Sequence, residues 1–211
     1  KDLSEFKIEF QRSLIEMEKE GVNLDLANKE PSVEGFDAAY MPPTLPDSAP
    51  IAQQIKNSNL KVLTNEEFSQ TVNDLIPVDI IGITGTMGKT TTTFITTSLF
   101  KQAGYNVWSC SSLVNNLVSE AIIDGIVKGK PQECDIAIFE LPHGTLGLLN
   151  KLDIKIGVLS YLTKEHLNEF GGSYEKYLLR KLIIQDISET FIANSECANE
   201  TDLLRDDTIF Y

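Results

Sequence analysis

Apolar positions near the start of the chain recur at helical spacing: Leu3, Phe6, Phe10, Leu14 and Met17, with Gly21 following as a stop. Val22 to Leu26 then reads as a short strand. Phe36 to Met41 reads as another, ended by Pro42, Pro43 and Pro46. Ala49 to Asn57 predicts a helix and Lys61 to Leu63 a strand. Thr64 with Glu67 forms the capping-box pattern for a helix through Asn73, and Pro77 then breaks the chain.

Beyond Val78 the rhythm strengthens. Asp79 to Ile83 predicts a buried strand, followed by a glycine loop and a helix over Lys89 to Ala103 closed by Gly104. Strands follow at Asn106 to Cys110, Cys134 to Glu140, Ile154 to Ser160 and Phe191 to Asn194. Helices follow at Leu117 to Lys128, Ser173 to Ile187 and Ala198 to Leu204. Ile209, Phe210 and Tyr211 read as the start of one more strand. Strands alternating with helices predict an α/β fold with a mainly parallel sheet. The domain boundary falls near Pro77, giving residues 1–76 and 77–211, with no internal repeat and no low-complexity tract.

Composition narrows the classes. The 211 residues allow one large domain, or one domain and part of another, and 42% apolar content is ordinary for a soluble globular protein. A net charge of -13 argues against general nucleic-acid binding, which needs a basic footprint. It leaves room for a locally basic phosphate pocket. No apolar run approaches the ~20 residues that span a bilayer, and no signal-peptide pattern opens the chain. Cys110, Cys134 and Cys197 are widely spaced, form no CxxC pair, and read as reduced thiols in a cytoplasmic protein. Cys110 and Cys134 lie in apolar stretches as small buried hydrophobes.

The strongest chemical signal is the run from Gly82 through Ile83, Thr84, Gly85, Thr86, Met87, Gly88, Lys89 and Thr90 to Thr91, between an apolar strand and a helix. Glycines let backbone N–H groups turn toward phosphate oxygens, and the helix start adds its positive dipole end. Lys89 can reach the β- and γ-phosphates, and the Thr90 hydroxyl can bind Mg²⁺. Gly85 to Thr91 are therefore the expected ATP contacts. The spacing departs from G-x-x-x-x-G-K-[ST], because Ile83 holds the first glycine position. Glu140 ends an apolar strand, where a carboxylate beside a phosphate loop suits a Mg²⁺ ligand. Ser111, Ser112, Asn115 and Asn116 follow a strand at the same edge, as candidate acceptor contacts or as a plain polar loop.

The variant Gly85-Thr86-Met87-Gly88-Lys89-Thr90-Thr91 resembles the ATP loop of the Mur ligases, whose usual form is G-T-x-G-K-[TS]-T. Three downstream sites extend the resemblance. Glu140 matches the family's metal-binding glutamate, while His143 stands one residue too close for the family's histidine and is given no metal role. Thr163, Glu165, His166 and Leu167 match the pattern T-N-[IL]-[ST]-x-[DE]-H-[LM]-D, in which Tyr161 replaces the Asn and Asn168 the final Asp. Lys181 stands in the following helix at the position of the lysine that CO₂ carbamylates. Asn194 and Ser195 resemble a later turn without its Asp. The resemblance covers roughly Asp79 to Asn199. The stretch from Pro46 to Thr64 resembles the end of a Mur amino-terminal domain.

The resemblance implies a P-loop ATPase domain, truncated at 77–211, preceded by part of a small Rossmann-like acceptor-binding α/β domain, with a carboxyl-terminal domain missing. It implies ATP-dependent amide formation through an acyl phosphate, joining a UDP-linked or related carboxylate to an amino acid. Lys89, His166 and Lys181 are then catalytic. Thr90 and Glu140 hold one Mg²⁺, and His166 and carbamylated Lys181 the second. Alternatives within the family are a pseudomurein peptide, folylpolyglutamate or nickel tetrapyrrole acceptor. An alternative outside it is a P-loop ATPase that forms no amide. No membrane or nucleic-acid partner is expected, and the missing domain implies that the chain alone forms no amide bond.

Overall fold

A computed structural model describes residues 32–43, 45–115, 117–165, 167–199 and 202–211. The helix expected over Leu3 to Met17 and the strand over Val22 to Leu26 lie outside the described residues. The chain divides into two compact units, Lys1–Leu63 and Thr64–Tyr211.

In the first unit, β1 (Ala38–Tyr40) pairs in parallel with β2 (Lys61–Leu63), and α1 (Pro50–Asn57) connects them. Pro50 opens α1, where a missing N–H costs nothing, and the helix buries Ala52 and Ile55.

The second unit begins with α2 (Asn65–Asp74), whose capping box is formed as expected: Thr64 accepts from the Glu67 N–H, and Glu67 accepts from the Thr64 N–H. The boundary expected near Pro77 therefore moves, because α2 packs on the second unit. The Lys151 N–H donates to Ser69 Oγ at 2.7 Å and the Asp153 N–H to Asn73 Oδ1 at 2.7 Å, while Val72 joins the core.

The strands are β3 (Ile80–Thr84), β4 (Val107–Cys110), β5 (Ile136–Glu140), β6 (Ile154–Leu159), β7 (Ser188–Ala193) and β8 (Ile209–Phe210). They lie in the order β4-β5-β3-β6-β7-β8, every pair parallel. The helices are α3 (Lys89–Gln102), α4 (Val118–Val127), α5 (Lys130–Glu133), α6 (His143–Leu148) and α7 (Tyr174–Asp186). The α/β fold with a parallel sheet is thus the observed architecture. Ile80–Thr84 and Ile136–Glu140 are buried at every residue, as central strands covered on both faces must be. Ile81, Ile83, Ile136 and Ile138 face one layer with Phe100 of α3. Ile80, Phe139, Ile154, Leu182 and Phe191 face the larger core on the other side, where Phe139 meets Trp108 edge-on at 4.7 Å between centroids.

Two short helices, α5 and α6, have no counterpart in the sequence reading. β7 begins at Ser188, earlier than expected. The helix expected over Ala198 to Leu204 is absent: a 3₁₀ turn spans Ser195–Asn199, and Asp202 to Leu204 are not helical. Asn194 Oδ1 accepts the Glu196 N–H and sets that tight turn. Arg205 then pins the chain by donating to the carbonyls of Gln185, Ser188 and Glu189. Among the described residues no helix is long and apolar enough to cross a membrane.

Candidate functional site

The strand order reverses at β3. The next strand, β4, lies two places away beyond β5, whereas β6 lies on the opposite side of β3. A crevice at the carboxyl ends of the strands is where such sheets take ligands. The phosphate-loop residues 85–88 sit there, between β3 and α3.

The two loop glycines adopt conformations that side chains resist. Gly85 has φ 138° and Gly88, at the N-cap of α3, has φ 82°. The Thr86 N–H donates to Tyr161 O at 2.6 Å, and Thr86 Oγ1 lies 2.7 Å from the Tyr177 hydroxyl. Thr86 is thereby committed to the protein behind the loop. Lys89 Nζ folds back onto Thr86 O at 2.9 Å. Burial lowers its pKa, against the opposing pull of Glu140 and Glu165.

On the β5 side, register explains the chemistry. Ile83 stands opposite Glu140, and Cys110 opposite Phe139, so the residues after β4 arrive beside the Glu140 carboxylate. Glu140 is 1% exposed. It accepts from Thr90 Oγ1 at 3.1 Å, from the Ser112 N–H at 3.0 Å and from Ser112 Oγ at 3.0 Å. Thr90 and Ser112 hydroxyls lie 3.1 Å apart. Thr90 and Glu140 are thus brought together as predicted. Ser112, read as a candidate acceptor contact, adds a third residue and a fourth oxygen to this cluster. The register of β4 against β5 is what puts it there, and no motif signals it. Ser111 lines a groove of about 290 Å³ with Thr93, Phe94 and Leu113, and Asn115 Oδ1 accepts the Leu117 N–H. Asn116 and His166 lie outside the described residues.

On the β6 side, α7 buries Tyr177, Leu178, Lys181, Leu182 and Ile184, with Ser173 as N-cap. A lysine inside a buried apolar stripe is unusual. Lys181 is 2% exposed, and its Nζ donates to Gly85 O at 2.9 Å. Burial, aided by the Lys89 charge, lowers its pKa to about 7 against the pull of Glu140 and Glu165. The amine is therefore substantially neutral near neutral pH, which an ordinary lysine is not. Thr163 N donates to Thr86 Oγ1 at 3.0 Å, and Thr163 Oγ1 is buried with no partner among the described residues. His143 Nε2 lies 2.9 Å from Glu169 Oε2. Cys110, with its thiol pushed up to about 12 by burial, is inert.

Residues 83–206 match the Mur ligase middle domain. The chain belongs to the Mur ligase family. This Mur ligase segment is 34% identical over 191 residues to an uncharacterised protein of Methanothermobacter thermautotrophicus, covering 89% of this chain and 60% of that one. It is 28% identical over 186 residues to a UDP-N-acetylmuramoylalanine–D-glutamate ligase of Christiangramia forsetii, covering 85% of this chain and 39% of the relative. In fold it resembles the MurF ligase of Thermotoga maritima, solved in complex with ADP, with TM-score 0.51, 19% identity and coverage of 73% of this chain and 38% of the other. The chain thus spans between about two-fifths and three-fifths of these relatives' lengths.

Proposed function

We propose that this chain is the nucleotide-binding part of a ligase that uses ATP to join a carboxylate acceptor to an amino acid. The observation that carries the reading is Lys181, a buried lysine hung on the carbonyl of Gly85 in the phosphate loop. A simple ATPase loop has no use for a near-neutral amine at that place. A neutral amine adds to CO₂ and releases a proton, leaving a carbamate, so a buried cation becomes an anion. The ADP complex of the MurF relative and the ligase names among the relatives support the same reading. The first unit, residues 1–63, is proposed as part of an acceptor-binding domain for a UDP-linked or related carboxylate.

The donors at Glu140 fit a hard cation. Two carboxylate oxygens and the hydroxyls of Thr90 and Ser112 stand within hydrogen-bond distance of one another. Mg²⁺ takes few protein ligands and completes its shell with phosphates and water. Thr90, Glu140 and Ser112 would hold one ion, and His166 with carbamylated Lys181 a second. When bound, Mg²⁺ neutralises phosphate charge as the γ-phosphoryl moves.

In the reaction, the acceptor carboxylate oxygen attacks the γ-phosphorus. The bond to the β-phosphate oxygen breaks, giving ADP and an acyl phosphate. The amino-acid nitrogen then attacks the acyl carbon, phosphate leaves, and the nitrogen loses a proton. The chain's own part is positioning and charge. Lys89 leaves Thr86 O for the phosphates, and the α3 amino terminus faces them.

The test is ADP release by the protein with ATP and Mg²⁺, screened over amino acids and carboxylate acceptors including UDP-linked muropeptides, with product mass recorded. Release that needs both acceptor and amino acid, with an amide product, is expected. ADP release independent of both would make this a P-loop ATPase.

A further inference from the structure

Four consecutive loop carbonyls each have a donor. The Ser160 N–H donates to Thr84 O at 2.8 Å, Lys181 Nζ to Gly85 O at 2.9 Å, Lys89 Nζ to Thr86 O at 2.9 Å, and Ser160 Oγ to Met87 O at 2.6 Å. Ser160 supplies two of the four, one at each end of the loop. It follows β6 directly and is 5% exposed. Its hydroxyl also lies 2.9 Å from Thr84 O, but one proton serves one acceptor well. Thr84 O already has the Ser160 N–H, so the hydroxyl proton belongs to Met87 O.

We infer that Ser160 is a positioning residue for the phosphate loop, its hydroxyl fixing the Met87–Gly88 peptide so that the Gly88 N–H is presented to a nucleotide phosphate. The reason is the planar trans peptide, in which C=O and N–H point in opposite directions. A Met87 carbonyl held against Ser160 turns the Gly88 N–H away from Ser160, toward the open side of the loop. The first N–H groups of α3 follow it, with no partner inside the helix. The fit around Ser160 is close. A Cβ on Gly85 would lie 2.3 Å from Ser160 Oγ, and one on Gly88 3.6 Å from Ser160 Cβ. Gly85 thus serves two needs, a left-handed backbone and close approach to this serine, whereas Gly88 serves the first. Lys181 and Lys89 cannot replace the clamp, because both are charge carriers that the proposed chemistry calls away from the carbonyls.

This inference rests on the nucleotide-binding reading, and the experiment separates the two. MgADP binding is measured by calorimetry on the wild-type chain, on Ser160→Ala and on Ser160→Thr. Amide hydrogen exchange is followed at Gly88 and along Ile156 to Val158. Wild-type binding is expected. Ser160→Ala is expected to bind about fivefold to tenfold more weakly, the worth of one buried hydrogen bond. Gly88 exchange should quicken while β6 stays protected, and Ser160→Thr, which keeps the hydroxyl, should recover most of the affinity. Equal binding by wild type and Ser160→Ala overturns the inference and leaves the nucleotide site standing. Weak binding with protection lost across β6 also overturns it, since the serine would then be supporting the fold at large. A wild type that does not bind MgADP removes the nucleotide reading, and this inference with it.

Discussion

The two flanks of β3 solve opposite electrostatic problems beside one loop. On the β5 flank a carboxylate, Glu140, is buried and held only by neutral donors from Thr90 and Ser112. On the β6 flank an amine, Lys181, is buried and held by a neutral carbonyl, that of Gly85, with Tyr177 packed alongside. Among the described residues the two are not joined in a salt bridge, although Lys181 lies within reach of the Glu140 charge. Paired directly, the two would make a buried ion pair, costly to desolvate and chemically idle. Kept apart, the carboxylate waits for a cation and the amine can give up its proton. On the proposed reading the β5 flank takes a ligand of positive charge, and the β6 flank changes its own charge.

Lys89, which stands between the flanks, should show the largest effect. Lys89→Ala is expected to lower ATP-dependent turnover by about a hundredfold or more, because its charge counts most as the phosphoryl group moves. The circular dichroism spectrum should be unchanged, since the side chain is only half-buried and its one bond is to the loop itself. Near-normal turnover would mean that this loop does not hold the reacting phosphates.

Lys181→Ala tests the β6 flank alone. Turnover should fall at least about tenfold, as when metal-site partners are lost, and acetate should restore part of it by supplying the missing carboxylate. ¹³C-bicarbonate should give a carbamate signal in wild type that the variant lacks. An active, bicarbonate-equilibrated, metal-loaded sample with an unmodified amine at Lys181 would end the contrast between the flanks.

The same lysine sets a pH dependence in metal-free, CO₂-free buffer. Its folded pKa, about 7, lies below the ordinary lysine value of 10.5. Between these values the unfolded chain binds the proton and the folded chain does not, so stability rises with pH across that window. Below pH ~7 both states are protonated and the burial penalty is felt in full. Lys181→Met should therefore be more stable than wild type at pH 6, by on the order of a few kcal/mol, with the advantage shrinking toward pH 10. Denaturant titrations at the two pH values check it. A difference that does not vary with pH would show that Lys181 folds in its charged form.

Most of this contrast was legible in the sequence, but unevenly. The loop from Gly85 to Thr91 and Glu140 at its strand end each carry a local signal, a glycine pattern and a terminal acid, whereas Lys181 stands out only through the family resemblance, by its spacing from His166. Ser112 and Ser160 carry none. Their importance comes from parallel register, Cys110 against Phe139 and Thr84 against Leu159, which no single segment encodes. The boundary near Pro77 failed for a related reason. Proline marks a break in the backbone, whereas the membership of α2 is decided by Ser69, Val72 and Asn73 meeting residues far along the chain. The helix missed after Ala198 shows tertiary ties, through Arg205, overriding local propensity.

The smallest expected effect belongs to Ser112, and it sharpens the β5 side of the comparison. Ser112 gives Glu140 a backbone N–H and a hydroxyl, and only the hydroxyl is lost in Ser112→Ala. The backbone bond and that from Thr90 remain, so the carboxylate stays in place and the fold should be nearly unaffected. What changes is the oxygen set open to a cation. Mg²⁺ should bind a few-fold to about tenfold more weakly in the presence of ADP, with ADP affinity in the absence of metal unchanged. Calorimetric titration of Mg²⁺ into the ADP complex, in wild type and variant, gives both numbers. A Ser112→Ala protein with unchanged Mg²⁺ affinity would place the serine as a brace for Glu140 alone, and the cation site would then be Thr90, Glu140 and the phosphates. A variant that weakened ADP equally with and without metal would mean that Ser112 meets the nucleotide, and that the β5 flank is more than a cation site.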